Sequence, residues 1–126
     1  MKKRVLCIED ERFISELYAR ALGNAGYEVT ILADGEDGLH EAVNGKYDVV
    51  LLDIMLPTMN GVDMLYKMKD PNVRPKFESK IIITTNLDQK EDIRKKVEEM
   101  ADGYLIKAEI TPHELVNFVD QVLGQE

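Results

Sequence analysis

Asp48-Val49-Val50-Leu51-Leu52-Asp53-Ile54-Met55-Leu56-Pro57-Thr58-Met59-Asn60-Gly61 is the stretch on which the fold turns. Four apolar residues run unbroken into Asp53, and a second apolar group runs into Pro57. A continuous apolar run this short reads as a strand buried on both faces, the pattern of a parallel sheet. It delivers a carboxylate at its C-terminal end. Val5-Leu6-Cys7-Ile8 does the same, leading into Glu9-Asp10-Glu11. In an open α/β sheet this is the edge where ligands bind. Carboxylates crowded there repel one another, so the pattern makes chemical sense with a cation among them.

Five such runs, 5–8, 29–32, 49–52, 81–84 and 104–106, alternate with segments of helical period. Ile14, Leu17, Tyr18, Ala21 and Leu22 form one apolar helical stripe. Gly23, Asn24 and Gly26 supply the residues that end it. Asp34 is placed to N-cap a second helix, with Asp37 three residues on and Gly45 just past its end. A third helix is predicted over 61–68, with Met64, Leu65 and Met68 in the core. The run Asp70-Pro71-Asn72-Val73-Arg74-Pro75 breaks the pattern and reads as a surface loop. Asp88 and Glu91 bracket the start of a fourth helix. Thr111 and Glu114 form a capping box for a fifth, with Pro112 at its first position and Leu115, Phe118, Val119 and Val122 on its buried face. The order βαβαβαβαβα predicts an α/β fold, a parallel sheet with helices on both faces and right-handed crossovers. With five strands the natural candidate is a single doubly wound five-stranded parallel sheet, order 2-1-3-4-5, flanked by five helices and flavodoxin-like.

At 126 residues the chain reads as one domain, 1–126, large enough to bury a core without staples. Its net charge of −8 disfavours direct nucleic-acid binding, because a phosphate backbone is repelled. The one basic run, Lys2-Lys3-Arg4, is short and reads as a solvated edge. Cys7 is the only cysteine, so no disulfide forms within the chain, which fits a cytoplasmic location. No apolar stretch approaches the roughly 18 residues of a membrane span, and no signal-peptide pattern opens the chain.

In the 2-1-3-4-5 order, the C-terminal ends of strands 1, 3, 4 and 5 meet. They carry Glu9 and Asp10, Asp53, Thr84 and Thr85, and Lys107. Hard oxygen ligands suit Mg²⁺, which binds through a few carboxylates and keeps several waters. Asp53, alone at its strand end, is placed to act as a nucleophile that forms an acyl phosphate. Phosphoryl transfer asks for alignment and charge neutralisation, which Mg²⁺ and the Lys107 ammonium supply. A strand-4 threonine hydroxyl is a hydrogen-bond donor for a phosphoryl oxygen. Each residue also has an ordinary structural role: acidic residues favour a helix N-terminus, Asp caps turns, and Lys is usually solvated. Their conjunction on one sheet edge points to function.

The chain resembles response-regulator receiver domains of two-component signalling over essentially its whole length. The resemblance rests on 5–11, on Asp53-x-x-x-Pro57-x-x-Asn60-Gly61 with the apolar run before it, on Ile81-Ile82-Ile83-Thr84-Thr85, and on Ala101-Asp102-Gly103-Tyr104-Leu105-Ile106-Lys107. It implies that Asp53 is the phosphoacceptor and that Glu9, Asp10, Asp53 and the Met55 carbonyl hold Mg²⁺, Asp10 directly and Glu9 through water. It further implies that Lys107 pairs with the phosphoryl group and that Thr85, at the family's separation from the lysine, is the switch residue. Tyr104 matches the aromatic that turns inward when the threonine moves, shifting the surface of helix 4, strand 5 and helix 5. The implied partners are a sensor histidine kinase or phosphotransfer protein, and a downstream target or an output domain absent from this chain. The expected protein is a signalling module, not an enzyme, and a monomer or phosphorylation-promoted dimer. Arg94, Lys95, Lys96, Glu98 and Glu99 read as a solvated helix face.

Three departures from the family pattern stand out. Ala108 follows Lys107 where the family usually has proline, and a trans bond with an altered loop is expected, since cis before alanine costs about 3 kcal/mol. Glu9 replaces the commoner Asp. Met55 and Leu87, at positions that tune dephosphorylation, are apolar, and a long-lived phosphoryl group is expected. The competing readings fare less well. A haloacid-dehalogenase-like phosphohydrolase wants a second Asp where Met55 stands. A flavodoxin-like cofactor binder wants a phosphate-cradling loop where Glu9-Asp10-Glu11 stands. A receiver-like module that signals without phosphorylation would follow if the Lys107 loop failed to reach the site.

Overall fold

In the computed structural model, residues 2–57, 59–70, 72, 79–86 and 89–124 are described. Five parallel strands lie in the order β2-β1-β3-β4-β5, with β1 Arg4–Ile8, β2 Glu28–Leu32, β3 Val49–Asp53, β4 Lys80–Thr85 and β5 Gly103–Ile106. The helices are α1 Arg12–Asn24, α2 Gly35–Asn44, α3 Gly61–Lys69, α4 Glu91–Met100 and α5 Pro112–Val122. The expected fold class and strand order hold.

Alternation along the central strands builds a core on each face of the sheet. Leu6, Ile8, Val50, Leu52, Ile81 and Ile83 pack with Met64, Leu65 and Met68 of α3, Ala42 of α2 and Val97 of α4. Val5, Cys7, Val49, Leu51 and Ile82 pack against Tyr18 and Leu22 of α1 and Leu115 and Val119 of α5. The expectation of burial on both faces fails for β2, where Glu28 and Ile31 are exposed. β2 has one neighbour, and an edge strand keeps an open side.

Local signals set the boundaries. Gly26 takes φ +98° after α1, a conformation that side chains with a Cβ rarely adopt. The Asp34 carboxylate accepts the Asp37 N–H at the head of α2. Thr111 and Glu114 close the capping box on α5, with Pro112 at its start. Glu91 opens α4, but the position before it is Lys90, which makes no side-chain cap, and Asp88 lies outside the described residues. Of the break at 70–75, Asp70 accepts the Asn72 N–H in an Asx turn, and the other four residues lie outside the described residues.

Candidate functional site

Strand register brings the predicted residues to one edge. Ile8 pairs with Leu52, so Glu9 follows beside Asp53. Asp53 pairs with Thr84, and Thr85 with Ile106, which sets Lys107 one residue beyond. The Glu9 N–H donates to the Leu32 carbonyl at 3.0 Å, extending the β1–β2 ladder and fixing Glu9 in line with its strand.

Asp53 is 2% exposed and held at both oxygens. Its Oδ1 accepts the Met55 N–H at 2.9 Å, and its Oδ2 accepts from Lys107 Nζ at 3.0 Å. The turn that presents it is set by the residues after it. Ile54 N–H donates to the Thr84 carbonyl at 3.0 Å, and Gly61 N–H to the Ile54 carbonyl at 3.1 Å. A Cβ at Gly61 would fall inside contact distance of the Ile54 main chain, which is why glycine stands there. Asn60 caps α3 by accepting from Val62 N–H at 2.8 Å. The Asp-x-x-x-Pro-x-x-Asn-Gly spacing is thus a turn that returns the chain onto its own strand end and starts a helix.

The Lys107 ammonium also forms an ion pair with Oε1 of Glu9, and both side chains are almost fully buried. Oε2 of Glu9 accepts the Glu11 N–H at 3.1 Å. Burial pushes the Glu9 carboxyl up to about 7, with Asp53 adding to the rise and Lys107 and the Glu11 N–H opposing it. Burial pulls the Lys107 ammonium down, but Glu9 and Asp53 outweigh it and leave it raised. Lys107 reaches the site from a single 3-10 turn, Lys107–Glu109, and no peptide bond among the described residues is cis. The trans Ala108 expected from the sequence is therefore compatible with full reach of the lysine.

Ligand oxygens of Glu9, Asp10 and Asp53 lie within 4.8 Å of one another, the one such acidic group of three among the described residues. Glu9 and Asp53 are buried and Asp10 is exposed, leaving the cluster open to solvent on one side. An all-oxygen donor set of this kind fits a hard divalent cation that keeps some of its waters.

Thr85 closes β4 and is fully buried. It shares strand parity with Ile81 and Ile83, so it lies on the sheet face covered by Val97 of α4, the face against which Tyr104 packs. Its Oγ1 accepts from Gln89 Nε2 at 3.1 Å. The Gln89 N–H donates to the Tyr104 hydroxyl at 3.0 Å, and Arg94 stacks over the Tyr104 ring, 4.6 Å from its centre. Asn86 Nδ2 donates to Glu11 Oε1 at 2.9 Å, tying the β4–α4 connection to the β1–α1 connection. Gln89 and the Asn86–Glu11 link carry no sequence signal, because they depend on how two loops approach. Arg94, read as a solvated helix residue, pairs with Glu98 but also covers Tyr104. Leu87 lies outside the described residues.

A family model described as "Response regulator receiver domain" matches residues 5–120. The chain belongs to this family. The receiver domain is 38% identical over 104 residues to the transcriptional regulatory protein DltR of Streptococcus agalactiae, covering 82% of this chain and 45% of that protein. It is 36% identical to the transcriptional regulatory protein CusR of Escherichia coli, covering 82% of this chain and 44% of the relative. It thus spans just under half the length of these relatives. The crystal structure of a CheY-like response regulator receiver domain from Methanospirillum hungatei superimposes with a TM-score of 0.84 at 30% identity, covering 98% of this chain and 95% of that one. The chain is therefore a two-component signalling domain by family, and no helix among its described residues is long and apolar enough to cross a membrane.

Proposed function

We propose that this receiver domain accepts a phosphoryl group on Asp53 from a sensor histidine kinase or phosphotransfer protein and converts it into a change of surface. One Asp53 oxygen attacks phosphorus as the bond from phosphorus to the donor's imidazole nitrogen breaks, and that nitrogen keeps the electron pair. The Met55 N–H holds the other oxygen and so fixes which one attacks. Lys107, already 3.0 Å from Asp53, stays as the counter-charge to the nearly two negative charges that arrive.

Glu9, Asp10, Asp53 and the Met55 carbonyl would hold Mg²⁺, with Asp10 direct and Glu9 through water. Bound there, Mg²⁺ neutralises charge on carboxylates and phosphoryl oxygens. The observation that carries this reading is the Lys107 ammonium between two buried carboxylates, beside a third that faces solvent.

Thr85 donates its hydroxyl to a phosphoryl oxygen, and Tyr104 turns inward as Thr85 moves. The α4–β5–α5 surface then shifts between two packed states, and a partner that binds one of them better reads the signal. That partner is a downstream protein or an output domain, and the domain is a monomer or a phosphorylation-promoted dimer. The domain acts in the cytoplasm as one unit, 1–126, catalyses only its own phosphorylation and dephosphorylation, and does not itself contact nucleic acid. The reach of Lys107 favours this reading over signalling without phosphorylation. Phosphoryl uptake by the wild type and by Asp53→Asn is the test.

A further inference from the structure

Asn86 and Glu11 meet from strands that are not neighbours. Asn86 follows Thr85, the buried last residue of β4, and Glu11 stands three residues beyond Ile8, the end of β1. β3 lies between those two strands in the sheet. Two strand spacings, about 10 Å, therefore separate the two segments. The hydrogen bond from Asn86 Nδ2 to Glu11 Oε1, at 2.9 Å, closes that gap. Ile8 is in register with Leu52 and Asp53 with Thr84, so Glu11 and Asn86 each lie two residues beyond the level of Asp53. The bridge spans the C-terminal end of β3, on the side from which a ligand enters such a sheet.

Glu11 reaches past its nearer options. It holds the N-cap position of α1, where an acidic side chain usually accepts from the first turn, yet its carboxylate makes no cap bond. The adjacent cation, Arg12, is engaged by Glu16 at 2.9 Å. The Glu11 N–H is held by Oε2 of buried Glu9 at 3.1 Å, which fixes the base of the side chain. Asn86 is fixed in the same way by the buried strand end before it. Both side chains are exposed, so the bridge opens by rotation of side chains alone.

We propose that the Asn86–Glu11 bridge is a gate over Asp53 that a phosphoryl donor has to open. This rests on the phosphorylation reading above and adds a control on access to the same site. In-line transfer puts the attacking Asp53 oxygen on one side of phosphorus and the leaving group on the other. Asp53 is buried at the strand end, so the leaving group points outward, into the space that the bridge spans. A donor that offers no partner to Glu11 or Asn86 reacts only while the bridge is open, and its rate is scaled by the open fraction. Asp10, the exposed member of the acidic cluster, takes no part in the bridge, so cation binding and gating are separable.

The test is a double-mutant cycle on the rate of phosphoryl uptake from acetyl phosphate at saturating Mg²⁺, followed by intact mass. The proteins are wild type, Glu11→Ala, Asn86→Ala, the double variant, Glu11→Gln and Asp53→Asn, and calorimetry gives the Mg²⁺ affinity of each. Each single alanine variant should take up phosphoryl about fivefold faster, the closed-to-open ratio that one exposed hydrogen bond to a charged group sustains. The double variant should be no faster than either, because the bridge breaks only once. Glu11→Gln loses the charge but keeps an acceptor for Asn86, so it should stay closer to wild type than Glu11→Ala does. Asn86→Ala should bind Mg²⁺ as the wild type does. Additive gains would show that the two side chains act separately, and Glu11→Gln as fast as Glu11→Ala would assign the effect to charge; either overturns the gate. It also falls if either alanine variant is no faster than the wild type. These outcomes leave phosphorylation of Asp53 intact. Uptake that persists in Asp53→Asn, or is absent from the wild type, would end that reading and the gate with it.

Discussion

The Lys107 ammonium and the Glu9 carboxylate, delivered from opposite ends of the chain, form an ion pair that is almost fully removed from water. The same ammonium is 3.0 Å from Asp53 Oδ2. One cation therefore balances two buried carboxylates, and a longer Glu in place of Asp gives the first of them the reach to meet it. A cation held by Glu9 would compete with Lys107 for the same carboxylate.

Lys107→Met should destabilise the metal-free domain by about 3–5 kcal/mol, since it leaves two buried carboxylates facing each other without a counter-charge. Mg²⁺ should recover more stability in this variant than in the wild type, as no ammonium competes for Glu9. Urea unfolding with Mg²⁺ and with chelator measures both. An unchanged midpoint in chelator would refute the balance described here.

The same burial makes stability depend on pH. Burial raises the folded Glu9 carboxyl to about 7, above the ordinary 4.5 of an exposed glutamate. Below 4.5 the carboxyl is protonated in both folded and unfolded chains. Between 4.5 and 7 the folded state keeps a proton that the unfolded chain has released, so raising the pH favours unfolding. Relative to Glu9→Gln, the metal-free wild type should lose stability across that window. Parallel melting curves in chelator would show it, and identical pH profiles would contradict it.

How much of this was legible in the sequence depends on the range of each interaction. Strands, helix caps and the Asp53 turn follow from neighbours within a few residues, so Asp34, Asn60 and Thr111 could be read directly. The convergence of Glu9, Asp10, Asp53 and Lys107 needed only the strand order. Exposure of β2 was missed because Val29 to Leu32 looks as apolar as a central strand, and only its position at the sheet edge opens it. The bonds of Gln89 and the stacking of Arg94 on Tyr104 join loops and helices whose approach no local pattern encodes.

Gly61→Ala should cost more than an ordinary helix substitution, although alanine is the better helix former. Its Cβ meets the Ile54 main chain, and relief requires moving the turn that holds Asp53. A loss of about 2 kcal/mol or more is expected, with phosphoryl uptake slowed as well. A stability equal to wild type would show that the turn yields freely.

Met55 has an exposed side chain beside Asp53, and an apolar group there does not orient a hydrolytic water. The phosphorylated domain should decay over minutes to hours, and Met55→Asn should shorten its lifetime. Following intact mass after removal of the phosphoryl donor checks this. Loss within seconds in the wild type would rule it out.

Intact mass after incubation with acetyl phosphate and Mg²⁺, compared between wild type and Asp53→Asn, decides whether Asp53 is the acceptor. The expected result is a gain of one phosphoryl group in the wild type alone, abolished by chelator. Equal gain in the two proteins, or no gain in a wild type that binds Mg²⁺, would contradict the assignment of Asp53.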